Sequence, residues 1–141
     1  GRGRPAGAGP PVIVLDASAT LDLLLATPRG RAVDLRLGAS GEELAAPRLL
    51  DVEVVQVLRG LLARRELTAE RAAEAVGDLA RLPAVRWPDE LLLERVWSLR
   101  HVATADDATY LALSEALDAV LLTSDRRMAE IPDHEAAVEI V

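Results

Sequence analysis

The sequence predicts an α/β fold in which an open parallel β-sheet of about five strands is flanked by helices on both faces. Short, continuously apolar runs alternate with longer amphipathic stretches, the order typical of strands and helices in a parallel sheet. The chain has 141 residues, 50% of them hydrophobic, which is enough for one domain with its own core. Only 2% are aromatic, so this core must consist mainly of Leu, Val and Ala.

The first half of the chain contains a leader, two strands and three helices by these patterns. Residues 1–11, GRGRPAGAGPP, have no hydrophobic periodicity, and we expect a flexible leader before one domain at 12–141. The run VIVL, which ends at Asp16, predicts a buried strand. The following elements are helices at Ala17–Leu25 and Arg29–Leu37, a strand near Leu44–Ala46, and a helix from Pro47, suited to a first turn, to Arg65.

The second half continues the alternation. Thr68 is a suitable N-cap for a helix that reaches about Arg81, so this helix and the one before it form a hairpin. The remaining predicted elements are a strand at Ala84–Trp87, helices at Asp89–Leu99 and Thr104–Leu117, a strand at Val120–Thr123, a short helix at Asp125–Glu130 and a strand at Ala137–Val141.

The composition excludes several kinds of active site. The chain has no Cys, which removes thiolate catalysis, disulfides and Cys-based zinc sites. All 16 basic residues are Arg, so no mechanism can use a catalytic lysine. This disfavours phospho-aspartate phosphatases and receiver domains, which also place Asp at strand ends but generally use Lys. No apolar run is long enough to span a bilayer, and we expect a cytoplasmic protein with no membrane partner.

Two aspartates follow predicted strands. Asp16 comes directly after VIVL, and Asp125 comes shortly after VLLT. Ligands of open parallel sheets bind beyond the carboxyl ends of the strands, so both residues are candidates for a functional site. Helix N-capping explains each of them equally well when it is considered alone.

Glu53 lies on the apolar stripe of its predicted helix, beside Leu50 and Val57. A charged carboxylate in such a setting needs an Arg, a hydrogen-bond donor or a metal ion. Asp106 and Asp107 add acids at the start of another helix, where they also suit the helix dipole. If these acids converge they repel one another unless a cation is present, and oxygen ligands favour Mg²⁺ or Mn²⁺ over zinc. Such an ion would also reconcile a net charge of −7 with an anionic substrate.

Four segments in order resemble the PIN-domain family, and specifically its VapC-type toxins. The segments are VIVLDAS, PRLLDVEVVQVLR, LRHVATADDATYLALSEAL and VLLTSDRRMA, and the resemblance runs from Val12 to Val141. It carries the four acids of the family onto Asp16, Glu53, Asp107 and Asp125. The residue before the third acid, often Tyr in relatives, is Asp106 here.

The resemblance implies an endoribonuclease that hydrolyses RNA phosphodiesters with Mg²⁺ or Mn²⁺ held by these four carboxylates. It assigns Ser18 and Thr123 to orienting ligands, with Asp106 as a further supporting residue. Four residues flank the third and fourth acids and are candidates for RNA phosphate contacts, although solvated surface side chains explain them too: Arg100, His101, Arg126 and Arg127.

Relatives of this type are toxins neutralised by a small antitoxin, and they commonly form homodimers. The resemblance therefore implies both partners, and the helical hairpin from Gly60 to Ala80 is one candidate surface, although packing on the domain's own core explains its pattern equally well. The alternative that spacing leaves open is a non-catalytic PIN-like domain that binds a protein or RNA. The substrate RNA and the number of metal ions are not determined by the sequence.

Overall fold

Parallel strands form one sheet in the part of the chain that the structure describes. The computed structural model describes residues 11–39 and 41–141, so the predicted leader lies outside it except for Pro11. The strands are β1 (Val12–Leu15), β2 (Glu43–Pro47), β3 (Ala84–Trp87), β4 (Val120–Thr123) and β5 (Ala137–Ile140). They are hydrogen-bonded in the order β3-β2-β1-β4-β5, and every pair is parallel. The predicted fold class is thereby confirmed.

Helices cover both faces of the sheet. Within the described ranges the α-helices are α1 (Ala17–Leu24), α2 (Pro28–Gly38), α3 (Leu49–Ala63), α4 (Ala69–Arg81), α5 (Leu93–Ser98) and α6 (Ala105–Leu117). Thr68 accepts a hydrogen bond from the Arg71 amide at 3.1 Å, so it caps α4 as predicted. No helix of the described residues is long and apolar enough to cross a membrane.

The sheet separates two apolar clusters because alternate side chains of a strand point to opposite faces. In β1, Val14 belongs to the larger cluster, which the sheet forms with α3 to α6. Ile13 and Leu15 belong to the smaller cluster, which α1 and α2 help to cover. Both faces of β1 are fully buried, which explains why its sequence is continuously apolar.

Three predicted elements differ from the structure in their bounds or helix type. Pro47 is the last residue of β2, paired with Trp87, and the prediction that it starts a helix is wrong. A proline is tolerated at a strand end because the ladder continues through the next amide, here from Arg48 to the Trp87 carbonyl at 2.9 Å. The helix predicted at Asp89–Leu99 is a 3-10 turn at Asp89–Leu92 followed by α5, and the short helix after Asp125 is a 3-10 helix at Arg126–Glu130.

The strand order creates a crevice at the carboxyl ends of two neighbouring strands, β1 and β4. The chain moves outward from β1 through β2 to β3 and then returns to place β4 on the other side of β1. Connections therefore leave the carboxyl ends of β1 and β4 in opposite directions, which opens the sheet edge at that point. We call this place the switch point; Asp16 and Asp125 follow the two strands that flank it.

Candidate active site

Asp16 is buried at the switch point and bonded on both carboxylate oxygens. It is 5% exposed and caps α1, with Oδ1 accepting from the Ala19 amide at 2.9 Å and from the Ser18 hydroxyl at 2.7 Å. Oδ2 accepts a short hydrogen bond from the Thr123 hydroxyl. Burial raises the pKa of Asp16, while these bonds oppose the rise. A carboxylate offers about four acceptor positions, so one remains on Oδ2.

Two hydroxyl side chains connect the ends of β1 and β4. The Ser18 oxygen accepts from the Ser124 amide at 3.1 Å, and the Thr123 oxygen accepts from the Asp125 amide at 3.0 Å. Each hydroxyl also donates to Asp16. Ser18 and Thr123 therefore contact the first acid, as a supporting role requires, and they fix the backbone that carries Asp125.

Glu53 reaches the same edge from α3 and has a partner that the sequence argument did not identify. Its Oε1 accepts a short hydrogen bond from the hydroxyl of Tyr110, a residue of α6. Burial raises the pKa of Glu53, and the nearby carboxylates of Asp106 and Asp107 raise it further. Burial and the Glu53 carboxylate also raise the pKa of Tyr110, so the phenol stays protonated and donates a hydrogen bond to Glu53. The sequence signal for this partner is a single tyrosine in a helix without other aromatic residues, three residues after Asp107.

The first turn of α6 brings two more acids. Thr104 caps this helix and accepts from the Asp107 amide at 3.2 Å. Asp107 is half-buried, whereas Asp106 is exposed. Burial raises the pKa of Asp107, and the charges of Asp125 and Asp106 contribute. The Asp107 carboxylate thus interacts electrostatically with Asp125, and the Asp106 carboxylate interacts with Glu53.

Asp125 differs from the other acids because it has an arginine partner. Arg127 donates to its carboxylate from Nε at 3.1 Å and from an η nitrogen at 2.7 Å, and the Arg127 amide donates at 3.0 Å. These hydrogen bonds lower the pKa of Asp125. The Arg127 side chain is 81% exposed, so salt and competing cations can reach this pair.

Comparison with known proteins places this chain in a family. The sequence profile of the PIN domain matches residues 13–134, which is most of the chain. The chain belongs to the PIN-domain family. A VapC relative, ribonuclease VapC12 of Mycobacterium tuberculosis, is 39% identical over 130 residues, covering 92% of this chain and 99% of the relative. The resemblance predicted from four motifs is confirmed.

Two solved structures share this PIN fold. VapBC2 from Rickettsia felis, bound to a DNA fragment from their promoter, matches with a TM-score of 0.65 at 14% identity, over 92% of this chain and 98% of that one. VapC20 of Mycobacterium tuberculosis, a sarcin-ricin loop cleaving toxin, matches with a TM-score of 0.62 at 16% identity, over 84% of this chain and 93% of that one. At these identities the two structures establish the fold only.

The carboxylates of this PIN domain are neighbours but do not share one coordination sphere. Among residues 11–39 and 41–141, no three Asp, Glu or His side chains lie together so that they could hold one metal ion. Three of the acids instead turn to protein donors: Asp16 to Thr123, Glu53 to Tyr110 and Asp125 to Arg127.

The donor chemistry nevertheless fits a hard cation. All of the acids offer oxygen, and the bonding of Asp16 leaves an acceptor position on Oδ2. Mg²⁺ is commonly bound through one or two carboxylates while it keeps several waters, so it does not require a complete protein cage.

The four predicted RNA-contacting residues of the PIN domain are all exposed, and two of them have partners. Arg127 is paired with Asp125, as described above. The Arg100 guanidinium stacks on the Trp97 ring, 4.5 Å from its centroid, and donates to the Trp97 carbonyl at 3.0 Å. Their role in RNA binding stays a prediction, as do the roles of His101 and Arg126.

Proposed function

We propose that this PIN-domain protein is a Mg²⁺- or Mn²⁺-dependent endoribonuclease that acts as the toxin of a type II toxin–antitoxin pair. The observation that carries the proposal is the set of acids at the switch point that four separate elements deliver. For Asp16, Glu53 and Asp107, burial and neighbouring carboxylates raise the pKa, and no Arg ion pair involving them occurs in the described residues. Buried acids with a raised pKa, gathered at the crevice of a parallel sheet, are typical of functional sites.

The ligands of the ion would be the four acids that the sequence predicts, namely Asp16, Glu53, Asp107 and Asp125. When bound, Mg²⁺ stabilises charge on the scissile phosphate and lowers the pKa of a coordinated water. Ser18 and Thr123 keep Asp16 in place through their hydrogen bonds, and no side-chain nucleophile is needed when a metal-bound water supplies the attacking oxygen. The reaction is therefore hydrolysis by water, without a covalent enzyme intermediate.

Arg127 has a second part in this proposal. It neutralises Asp125 in the metal-free protein through two side-chain hydrogen bonds. A divalent cation competes with it for the same carboxylate, and the released guanidinium then contacts an RNA phosphate beside the cut. Exposed Arg100, Arg126 and His101 contribute further phosphate contacts.

The proposed partners are RNA, a cognate antitoxin and a second copy of the chain. The name VapC of the curated relative and that of the VapBC2 structure support the antitoxin. The hairpin from Gly60 to Ala80 presents Leu62 and Val76, each about two-fifths exposed, which suits a protein contact. Light scattering of the chain alone and with the antitoxin tests both interactions by mass.

A second candidate is a non-catalytic PIN-like domain that binds protein or RNA. The observation that favours it is the lack of any three acids in the described residues that could hold one ion. The two candidates differ in one property. A nuclease must bind a divalent ion through rearranged acid side chains, whereas a binding domain need not.

The test is RNA cleavage by purified protein freed of any co-purifying partner. A panel of structured RNAs is incubated with Mg²⁺ or Mn²⁺, with EDTA, and with the Asp16→Asn variant. We expect discrete fragments that disappear in EDTA and in the variant, because both remove the ion from the site. Glu115→Gln is the matched control, since Glu115 is an acid paired with Arg95 away from the switch point. Inactivity on the whole panel, together with no Mn²⁺ binding, rejects the nuclease and favours the binding domain.

A further inference from the structure

The buried phenol of Tyr110 joins the apolar core to the acidic site. The side chain is 2% exposed and its ring packs within the larger apolar cluster. Its hydroxyl reaches out of that cluster to Oε1 of Glu53, on the neighbouring helix α3. A Phe or Leu would fill the same space without the hydroxyl, so packing alone does not account for a tyrosine here.

Glu53 needs such a partner because its surroundings push it away from the site. The carboxylates of Asp106 and Asp107 repel it, and no Arg bonds it in the described part of the chain. A Glu side chain has three rotatable bonds, so an unheld Glu53 would turn toward solvent. The Tyr110 ring is fixed by packing, and its hydrogen bond therefore holds Oε1 in one place.

We infer that Tyr110 is a positioning residue that fixes the Glu53 carboxylate through Oε1, in the orientation in which it would serve as a ligand of the divalent ion. The inference rests on the proposed metal-dependent function and deepens it by naming the residue that orients this ligand. Groups that orient metal ligands in this way commonly change metal affinity or activity by about 10- to 100-fold when they are lost. Tyr110 does not contact the reacting atoms and acts only through Glu53.

The main test measures Mn²⁺ binding by calorimetry without RNA, in wild type, Tyr110→Phe, Glu53→Gln and the double variant. We expect Tyr110→Phe to weaken Mn²⁺ binding by about tenfold, because the ring stays but the donor is lost. In the Glu53→Gln background the same substitution should have no further effect, which is the sign of residues that act as one unit. Fully additive effects would overturn the inference.

The control is Ser114→Ala on the same helix. Ser114 is buried and donates to the Tyr110 carbonyl at 2.9 Å, so the variant also loses a buried hydroxyl but none that contacts an acid. We expect its Mn²⁺ affinity to equal that of wild type. A loss equal to that of Tyr110→Phe would attribute the effect to the stability of α6 and overturn the positioning role.

A second measurement does not depend on the folding of the Tyr110 variant. The chain has one tyrosine, so a ¹³C label at its Cζ atom gives one NMR resonance. This resonance should shift in Glu53→Gln and again when Mg²⁺ is added to wild type, because both change the acceptor of the phenol. A resonance that moves in neither case overturns the inference.

The outcomes separate this inference from the proposed function. If Glu53→Gln weakens Mn²⁺ binding and Tyr110→Phe does not, the metal site stands and the positioning role is wrong. If wild type binds no Mn²⁺ and cleaves no RNA, the proposed function fails and the inference fails with it.

Discussion

With the exception of Asp125, the acids at the carboxyl ends of the parallel strands, which we call the carboxyl edge, differ in partners and pKa from those at the amino ends, the amino edge. At the carboxyl edge, Asp16 and Glu53 are held by hydroxyl groups and their pKa values are raised. At the amino edge, Glu115 is held by arginine and its pKa is lowered. The acids with a raised pKa therefore destabilise the fold at neutral pH, whereas Glu115 stabilises it, as does Asp125, the one carboxyl-edge acid described above that pairs with arginine.

Ion pairs with arginine hold acids at and near the amino edge. Arg36 contacts Glu42 at 3.0 Å and Glu139 at 2.7 Å. Arg95 binds both carboxylate oxygens of Glu115, at 2.9 and 3.0 Å. A cavity of about 650 Å³ lies among several of these residues, so concavity alone does not mark the functional edge. What distinguishes the carboxyl edge is a set of acids, Asp16, Glu53 and Asp107, that form no ion pair with arginine among the described residues.

The largest expected effect is loss of nuclease activity in Asp107→Asn. This substitution keeps the size of the side chain but removes one of the charges that would hold the proposed ion, and we expect RNA cleavage to fall by at least about a hundredfold. Initial rates of cleavage in saturating Mg²⁺ measure the effect.

Glu115→Gln is the matched variant for this comparison, because it removes one charge from the amino edge. Its cleavage rate should stay within about twofold of wild type, since its acid binds Arg95 and not the ion. Equal losses in Asp107→Asn and Glu115→Gln would remove the functional distinction between the two edges.

The second effect concerns stability and has opposite signs at the two edges. Glu115→Gln loses a charge that receives two bonds from Arg95 and one from the Glu135 amide, so we expect a loss of about 1 kcal/mol in unfolding free energy. Glu53→Gln keeps an acceptor for Tyr110 and removes repulsion from Asp106, so we expect a gain of a few tenths of a kcal/mol. Urea unfolding in EDTA measures both, and a loss in Glu53→Gln would contradict the unbalanced charge at the carboxyl edge.

The fold could be predicted because each strand carries a local signal. Continuous apolar runs such as VIVL indicate burial on both faces, and Thr68 indicates a helix start. Pro47 was assigned wrongly because a proline suits both a strand end and a first helical turn, and only pairing with Trp87 decides between them. The 3-10 turn at Asp89–Leu92 has no such signal, because 3-10 and α-helices share the same residue preferences over one turn.

The acids of the candidate site could be proposed from sequence, but their hydrogen-bond partners could not. Strand ends predict Asp16 and Asp125, and an apolar stripe predicts that Glu53 needs an Arg, a hydrogen-bond donor or a metal ion. The donor is Tyr110, 57 residues away, and contacts over that separation depend on how α3 packs beside α6. Arg127 is only two residues from Asp125, but this closeness in sequence does not predict whether its side chain pairs with the acid or faces RNA.

The smallest effect is the pH dependence of stability in the metal-free protein. For Asp16, Glu53 and Asp107 the pKa is higher in the folded than in the unfolded state, so between the two values the folded state binds more protons. The free energy of unfolding therefore rises as pH falls through this window, which lies above the ordinary carboxylate range near pH 4. We expect a shallow increase in stability as the pH falls from neutral toward the ordinary carboxylate range near pH 4 in EDTA, measured by urea unfolding.

Acids with a lowered pKa determine how the stability of the fold changes at acidic pH. Glu115 and Asp125 stabilise the fold above their unfolded pKa, and this contribution is lost as pH falls through the lower folded values. Stability should therefore decline below about pH 4. Glu53→Gln removes one proton-binding group from the upper window and should flatten the increase there while leaving the acid decline unchanged. An increase of the same size in wild type and Glu53→Gln would show that the raised pKa of Glu53 does not contribute to it.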